Sequence, residues 1–175
     1  AVVGRDGQGN AEVIGKHIVR WALELEALNR NGLGTTSKIA LNATRDGKPV
    51  SELENSGVPN GAATRASPLG CLLPAARLEH FVEQVALASS PTHKSDLAIA
   101  GAAVIAWAIS RAIDGERWQN IVDALPGIAR YAQEAKTTTF SASLAARIEL
   151  ALKTVREANG TESASEQVYQ LIGAG

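Results

Sequence analysis

The chain of 175 residues contains no methionine and a single cysteine, Cys71. One thiol excludes an internal disulfide and a multi-thiolate zinc site, so no oxidising compartment is required and a cytoplasmic location is expected. Without methionine, Ala1 is not a translation start, and the chain is expected to be a processed or excised piece. No basic segment followed by an apolar run marks a signal peptide. Aromatic residues make up only 4% of the chain. Sheets favour β-branched and aromatic side chains, whereas an alanine-rich composition favours close-packed helices. Neither sign of charge dominates, with 17 Lys+Arg against 18 Asp+Glu. That balance gives no field for a phosphate backbone or an anionic bilayer, so nucleic acid and membrane are not expected as partners. The uncharged run from Leu97 to Ser110 is shorter than the roughly 20 apolar residues that span a bilayer, and reads as a buried helix.

What is present, 45% hydrophobic and 20% charged residues, is enough to bury a core, and the length suits one all-α domain over 1–175. Residues 4–10, GRDGQGN, match no phosphate-loop spacing and read as a polar terminus with Asn10 as a helix N-cap. Ile14, Ile18, Trp21, Leu25 and Leu28 recur at helical spacing and predict a helix from Ala11 to about Arg30, stopped by Asn31-Gly32. A shorter helix capped by Thr35 or Thr36 should carry Ile39 and Leu41 inward. Residues 42–61 hold three glycines and two prolines, and a loop of that length in a small domain commonly carries function. Further helices are expected over Ala75–Ala88, over Leu97–Ile113 as the central helix, from Trp118 with a kink or restart at Pro126, over Ser141–Ala158, and over Ser163–Ile172.

Little in this pattern announces chemistry. His17, His80 and His93 are not at metal-ligand spacing from one another or from Cys71. No nucleophile elbow or Cys/His pairing is visible, and the carboxylates are scattered, so no catalytic residue and no metal ligand is assigned. Two residues stand out. His93 lies in a turn directly before the apolar helix, where a partly exposed ring could reach a ligand. Arg65 sits in an apolar stretch between Ala63 and Pro68, where a guanidinium needs partners; tying down the long loop is the favoured role, with direct substrate contact as the alternative.

The segment Asn60–Gly70, NGAATRASPLG, resembles the Asn-Gly-Ala-Ala-Met-Arg-x-x-Pro-Leu-Gly segment of the ADP-ribosylglycohydrolases, the group that includes the J1-type crystallins. Gly32–Thr36, GLGTT, is similar to that family's Gly-x-Gly-x-Thr segment. Thr92-His93, followed by Ala98–Ala103, is similar to its Thr-His turn and small-residue helix. The resemblance covers about residues 11–172, with Thr64 where the family has methionine. It implies an orthogonal multi-helix bundle that binds an ADP-ribose-type nucleotide beside two magnesium or manganese ions and cleaves the glycosidic bond from ADP-ribose to an acceptor. It places Asn60 and Gly61 against the diphosphate or distal ribose, Arg65 bracing the loop, and His93 on the nucleotide side of the cleft. The family's metal-binding acids lie in Thr-Asp-Asp-Thr and Gly-Gly-Asp-x-Asp-Thr segments, neither of which occurs in these residues. The chain is therefore expected to be the middle portion of such a domain, with the missing parts of that domain as partners. The alternative is a non-catalytic, crystallin-like structural or ADP-ribose-binding helical protein.

Overall fold

The computed structural model describes residues 10–29, 32–135 and 140–172. Among these residues eight α-helices follow in order: α1 Ala11–Glu24, α2 Thr35–Arg45, α3 Ser67–Leu72, α4 Leu78–Ser89, α5 Asp96–Ile113, α6 Trp118–Ala135, α7 Leu144–Glu157 and α8 Thr161–Ile172. Short 3-10 turns at Val50–Glu52 and Ala63–Arg65 lie between α2 and α3, and no strand occurs among the described residues. The all-α expectation holds. Residues 4–9 of the glycine-rich start, the helix end near Arg30, Asn31, the Thr137–Thr139 run and Gly173–Gly175 lie outside the described residues.

α5 is the axis of the bundle and packs against α3, α4 and α6. Ala98, Ala100, Ala102, Ala103 and Ala106 are all buried in the main core with Phe81, Val82 and Val85 of α4. Small side chains let neighbouring backbones come close. At Gly70 a Cβ would lie 2.5 Å from the Ala106 carbonyl oxygen and 2.7 Å from Ile109 Cβ, so α3 rests on α5 at a separation no other residue permits. By length and apolar composition α5 is a helix that could cross a membrane; here its alanine face is covered by its neighbours, while Ile105 and Ile113 are exposed.

Several local expectations are corrected. α1 ends at Glu24, earlier than periodicity implied, because Glu26 adopts φ 51°. The Ala27 amide donates to Ala22 O at 2.8 Å and the Glu26 amide to Leu23 O at 3.1 Å, a Schellman closure normally built on glycine. Buried Ala27 then packs beside Ala22. Trp21 and Leu25, assigned to the inward stripe, are 44% and 55% exposed. On α2 the cap is Gly34, with no side-chain hydrogen bond, and Ile39 is 66% exposed whereas Leu41 is buried. α6 runs through Pro126 without a restart, its buried face continuing from Ile121 to Ile128, Ala129 and Ala132 on either side of the proline. Asn10, Ser95 and Ser143 cap α1, α5 and α7 with their side chains.

The contrast between two glycines tests this packing. Gly101 on α5 has only Ala63 Cβ, at 3.8 Å, in the path of an added methyl group. Gly101→Ala should therefore stabilise the protein by about 0.5–1 kcal/mol through helix propensity. Gly70→Ala should instead destabilise it by about 1–3 kcal/mol through overpacking. Urea denaturation measures both, and equal effects of the two substitutions would contradict the close approach of α3 to α5.

Candidate functional site: a buried histidine over Gly61

The signature segment folds in three steps. The Thr64 amide donates to Asn60 O and the Thr64 hydroxyl to Gly61 O, each at 3.0 Å, closing a turn that leads into the 3-10 helix. Pro68 then enters the first turn of α3, where its missing N–H costs nothing. Ala62, Ala66 and Leu69 face the core, so the polar members of the segment are held on a rigid base.

Arg65 is half-buried, and its Nη2 donates to Thr92 Oγ1 across the turn before α5. Burial lowers the guanidinium pKa, but a group with so high a reference value keeps its charge. The same Thr92 oxygen lies 2.9 Å from His93 Nδ1. The His93 ring is only 1% exposed, in contrast to the partly exposed ring anticipated above. Burial first, and then the Arg65 charge, push its pKa down to about 4. The imidazole is therefore neutral at physiological pH. Its Nε2 is buried and has no hydrogen-bond partner among the described residues. Buried polar atoms are paired in the great majority of cases, so an unpaired ring nitrogen is a site waiting for a partner.

The ring stands over Gly61, where a Cβ would lie 2.6 Å from His93 Cε1, 3.1 Å from Nε2 and 3.4 Å from Ser37 Oγ. Gly61, Arg65, Thr92 and His93 thus form one packed unit, with the buried Ser37 of α2 at its edge. Asn60 sits at the exposed start of the same turn. Arg65 also reaches the rim of an apolar groove of about 550 Å³, lined by Ile14, Ile18 and Trp21 of α1 and by Pro68 and Leu69 of α3. His17 borders that groove and His80 is exposed on α4; neither joins His93. Among the described residues, no three His, Cys, Asp or Glu side chains converge so as to hold a metal ion. Sequence reasoning missed Ser37, whose only signal was its place three residues after Gly34, and Lys94, which is taken up below.

The Thr92 hydroxyl can accept two hydrogen bonds and donate one. With Arg65 donating to Oγ1, the hydroxyl becomes a stronger donor through polarisation. Donation from Thr92 to Nδ1 would place the ring proton on Nε2, facing Gly61.

A pH dependence follows. The folded-state pKa of His93, about 4, lies below the unfolded value of roughly 6.5, so only the unfolded chain takes up a proton between the two. Stability is full above about pH 6.5 and is lost as the pH falls toward 4, by on the order of 3 kcal/mol if this group acts alone. Urea titrations at pH 7 and pH 4.5 check it: His93→Asn should lack this component, and an identical loss in the variant would show that His93 is not the group responsible.

The family model for the ADP-ribosylglycohydrolases matches residues 2–175. The Escherichia coli K12 protein YegU, described as uncharacterized, is 69% identical over 175 residues, which are the whole of this chain and 52% of YegU. The chain thus spans about half the length of that curated relative. No solved structure matches it. With the family model spanning residues 2–175, the chain belongs to the ADP-ribosylglycohydrolase family.

Proposed function

We propose that the chain supplies the nucleotide-holding part of a cytoplasmic hydrolase that cleaves the glycosidic bond between ADP-ribose and an acceptor. The observation that carries this reading is the buried, unpaired Nε2 of His93 standing over Gly61 of the signature turn. A neutral imidazole N–H in a water-poor position donates to a ligand oxygen without competing for a proton. Gly61, lacking a side chain, lets the His93 ring pack directly against the backbone of the turn. Asn60, exposed at the mouth of the turn, offers an amide to the diphosphate or to a ribose hydroxyl. Arg65 remains behind the turn, holding Thr92 and through it the ring. Its positive charge adds a favourable field for an anionic ligand.

Magnesium or manganese belongs to the family's reaction, and a divalent ion there would supply Lewis-acid and water-activating chemistry. The described residues do not fit such a centre, because hard cations need several converging oxygen ligands. The part of the reaction assigned to these residues is therefore binding and orientation, and no metal ligand or proton-transfer acid is assigned among them.

Calorimetric titration with ADP-ribose tests the reading. Asn60→Ala should weaken binding by about ten- to a hundredfold, the equivalent of one charge-assisted hydrogen bond of about 1.5–3 kcal/mol. Arg65→Ala should chiefly lower Tm. Absence of wild-type binding at millimolar ADP-ribose would favour the crystallin-like structural alternative. Loss of binding in Arg65→Ala at unchanged Tm would move Arg65 into direct ligand contact.

A further inference from the structure

The turn that carries His93 also grips the long loop ahead of the signature. Lys94 Nζ donates to the carbonyl oxygens of Leu53 at 2.6 Å and Val50 at 2.7 Å, with Ser51 O at 3.4 Å. The Lys94 amide donates to Asn55 O at 2.8 Å. On either side, the Asn55 side-chain amide donates to Ser90 O at 2.9 Å and the Ser95 hydroxyl to Gly57 O at 2.8 Å. From α1, the Glu12 carboxylate accepts the Val50 amide at 2.6 Å. Asn55 stands at φ 44°, a left-handed conformation that asparagine tolerates better than other non-glycine residues. Gly57 lies so close to α2 that a Cβ would come within 2.6 Å of the Thr36 side chain.

Two short contacts, to Leu53 O and Val50 O, and a longer one to Ser51 O engage the ammonium, with the Glu12 carboxylate as the charge nearby. We propose that Lys94 is a positioning residue: its ammonium, seated among the carbonyl oxygens of residues 50–53, fixes the Val50–Gly57 loop so that the Asn60–Thr64 turn that follows it is already in its ligand-binding conformation before ligand arrives. The proposal rests on the reading of that turn as the ADP-ribose face. It assigns to one residue of the His93 turn a second task. Thr92 and His93 hold the ring over Gly61, and Lys94 holds the backbone that leads up to Gly61. Preorganisation of this kind raises affinity by removing the ordering cost from the binding step.

Amide hydrogen exchange and ADP-ribose titration on the full chain, wild type against Lys94→Met, test it. The variant keeps the aliphatic stem and deletes the charge. Protection at Glu52 and Leu53, whose amides donate to Pro49 O and Val50 O, should fall at least about tenfold while α5 amides keep theirs. The ADP-ribose Kd should rise by about tenfold, and saturating ligand should restore loop protection. Lys94→Ala should behave alike and regain loop protection with propylammonium chloride but not with sodium chloride. Unchanged loop protection in both variants overturns the proposal, as does unchanged affinity with a loosened loop. A wild type that does not bind ADP-ribose overturns the functional reading instead, and the exchange comparison then decides on its own whether Lys94 orders the loop.

Discussion

The constraint on which the site depends is the distance between α3 and α5. Gly70 lets the α3 backbone settle against the Ala106 carbonyl, and the alanines of α5 leave room for Ala62 and Ala66 in the same layer. With α3 fixed, the turn that precedes it has no freedom to drift, and Gly61 arrives beneath the His93 ring at the end of the same helix axis. A larger residue on either surface would move the turn away from the ring before it touched any ligand. The alanine-rich, aromatic-poor composition is the chemical form of that requirement: interiors are packed as tightly as organic crystals, so small side chains translate directly into short backbone separations.

Electrostatics adds a second layer. Arg65 and His93 share the hydroxyl of Thr92; two cations there would repel each other in a poorly solvated environment, and burial with the Arg65 charge keeps the imidazole neutral. The arrangement separates two roles that one cation could not fill, with a permanent charge behind the turn and an uncharged polar atom in front of it. Lys94, one residue further on, has its charge absorbed by backbone carbonyls. Three consecutive residues, Thr92, His93 and Lys94, thus link the signature turn, the ring and the preceding loop.

The helices were legible where their order comes from periodicity and caps. The apolar run of α5 and the Asn10 cap are features a linear pattern can carry. The failures have particular causes. Glu26 closes α1 in a conformation that its residue type does not advertise. Trp21 and Ile39 are apolar residues at inward-looking positions that the described chain leaves exposed, and periodicity does not say what covers a face. The pairing of Gly61 with His93 joins segments distant in sequence, and the resemblance brought both residues to notice without revealing their contact. Lys94 could not be found at all, because its partners are backbone carbonyls, which every residue has.

The proposed role of His93 is that of a neutral, preformed hydrogen-bond donor facing the Asn60–Thr64 turn. Long-range proton–nitrogen correlation spectra of the histidine rings at pH 6, recorded with and without ADP-ribose, test it directly. The expected result is a neutral His93 with its proton on Nε2, and a change on ligand addition that is concentrated at Nε2. A charged His93 ring at pH 6, a proton on Nδ1, or resonances unmoved by saturating ADP-ribose would contradict it.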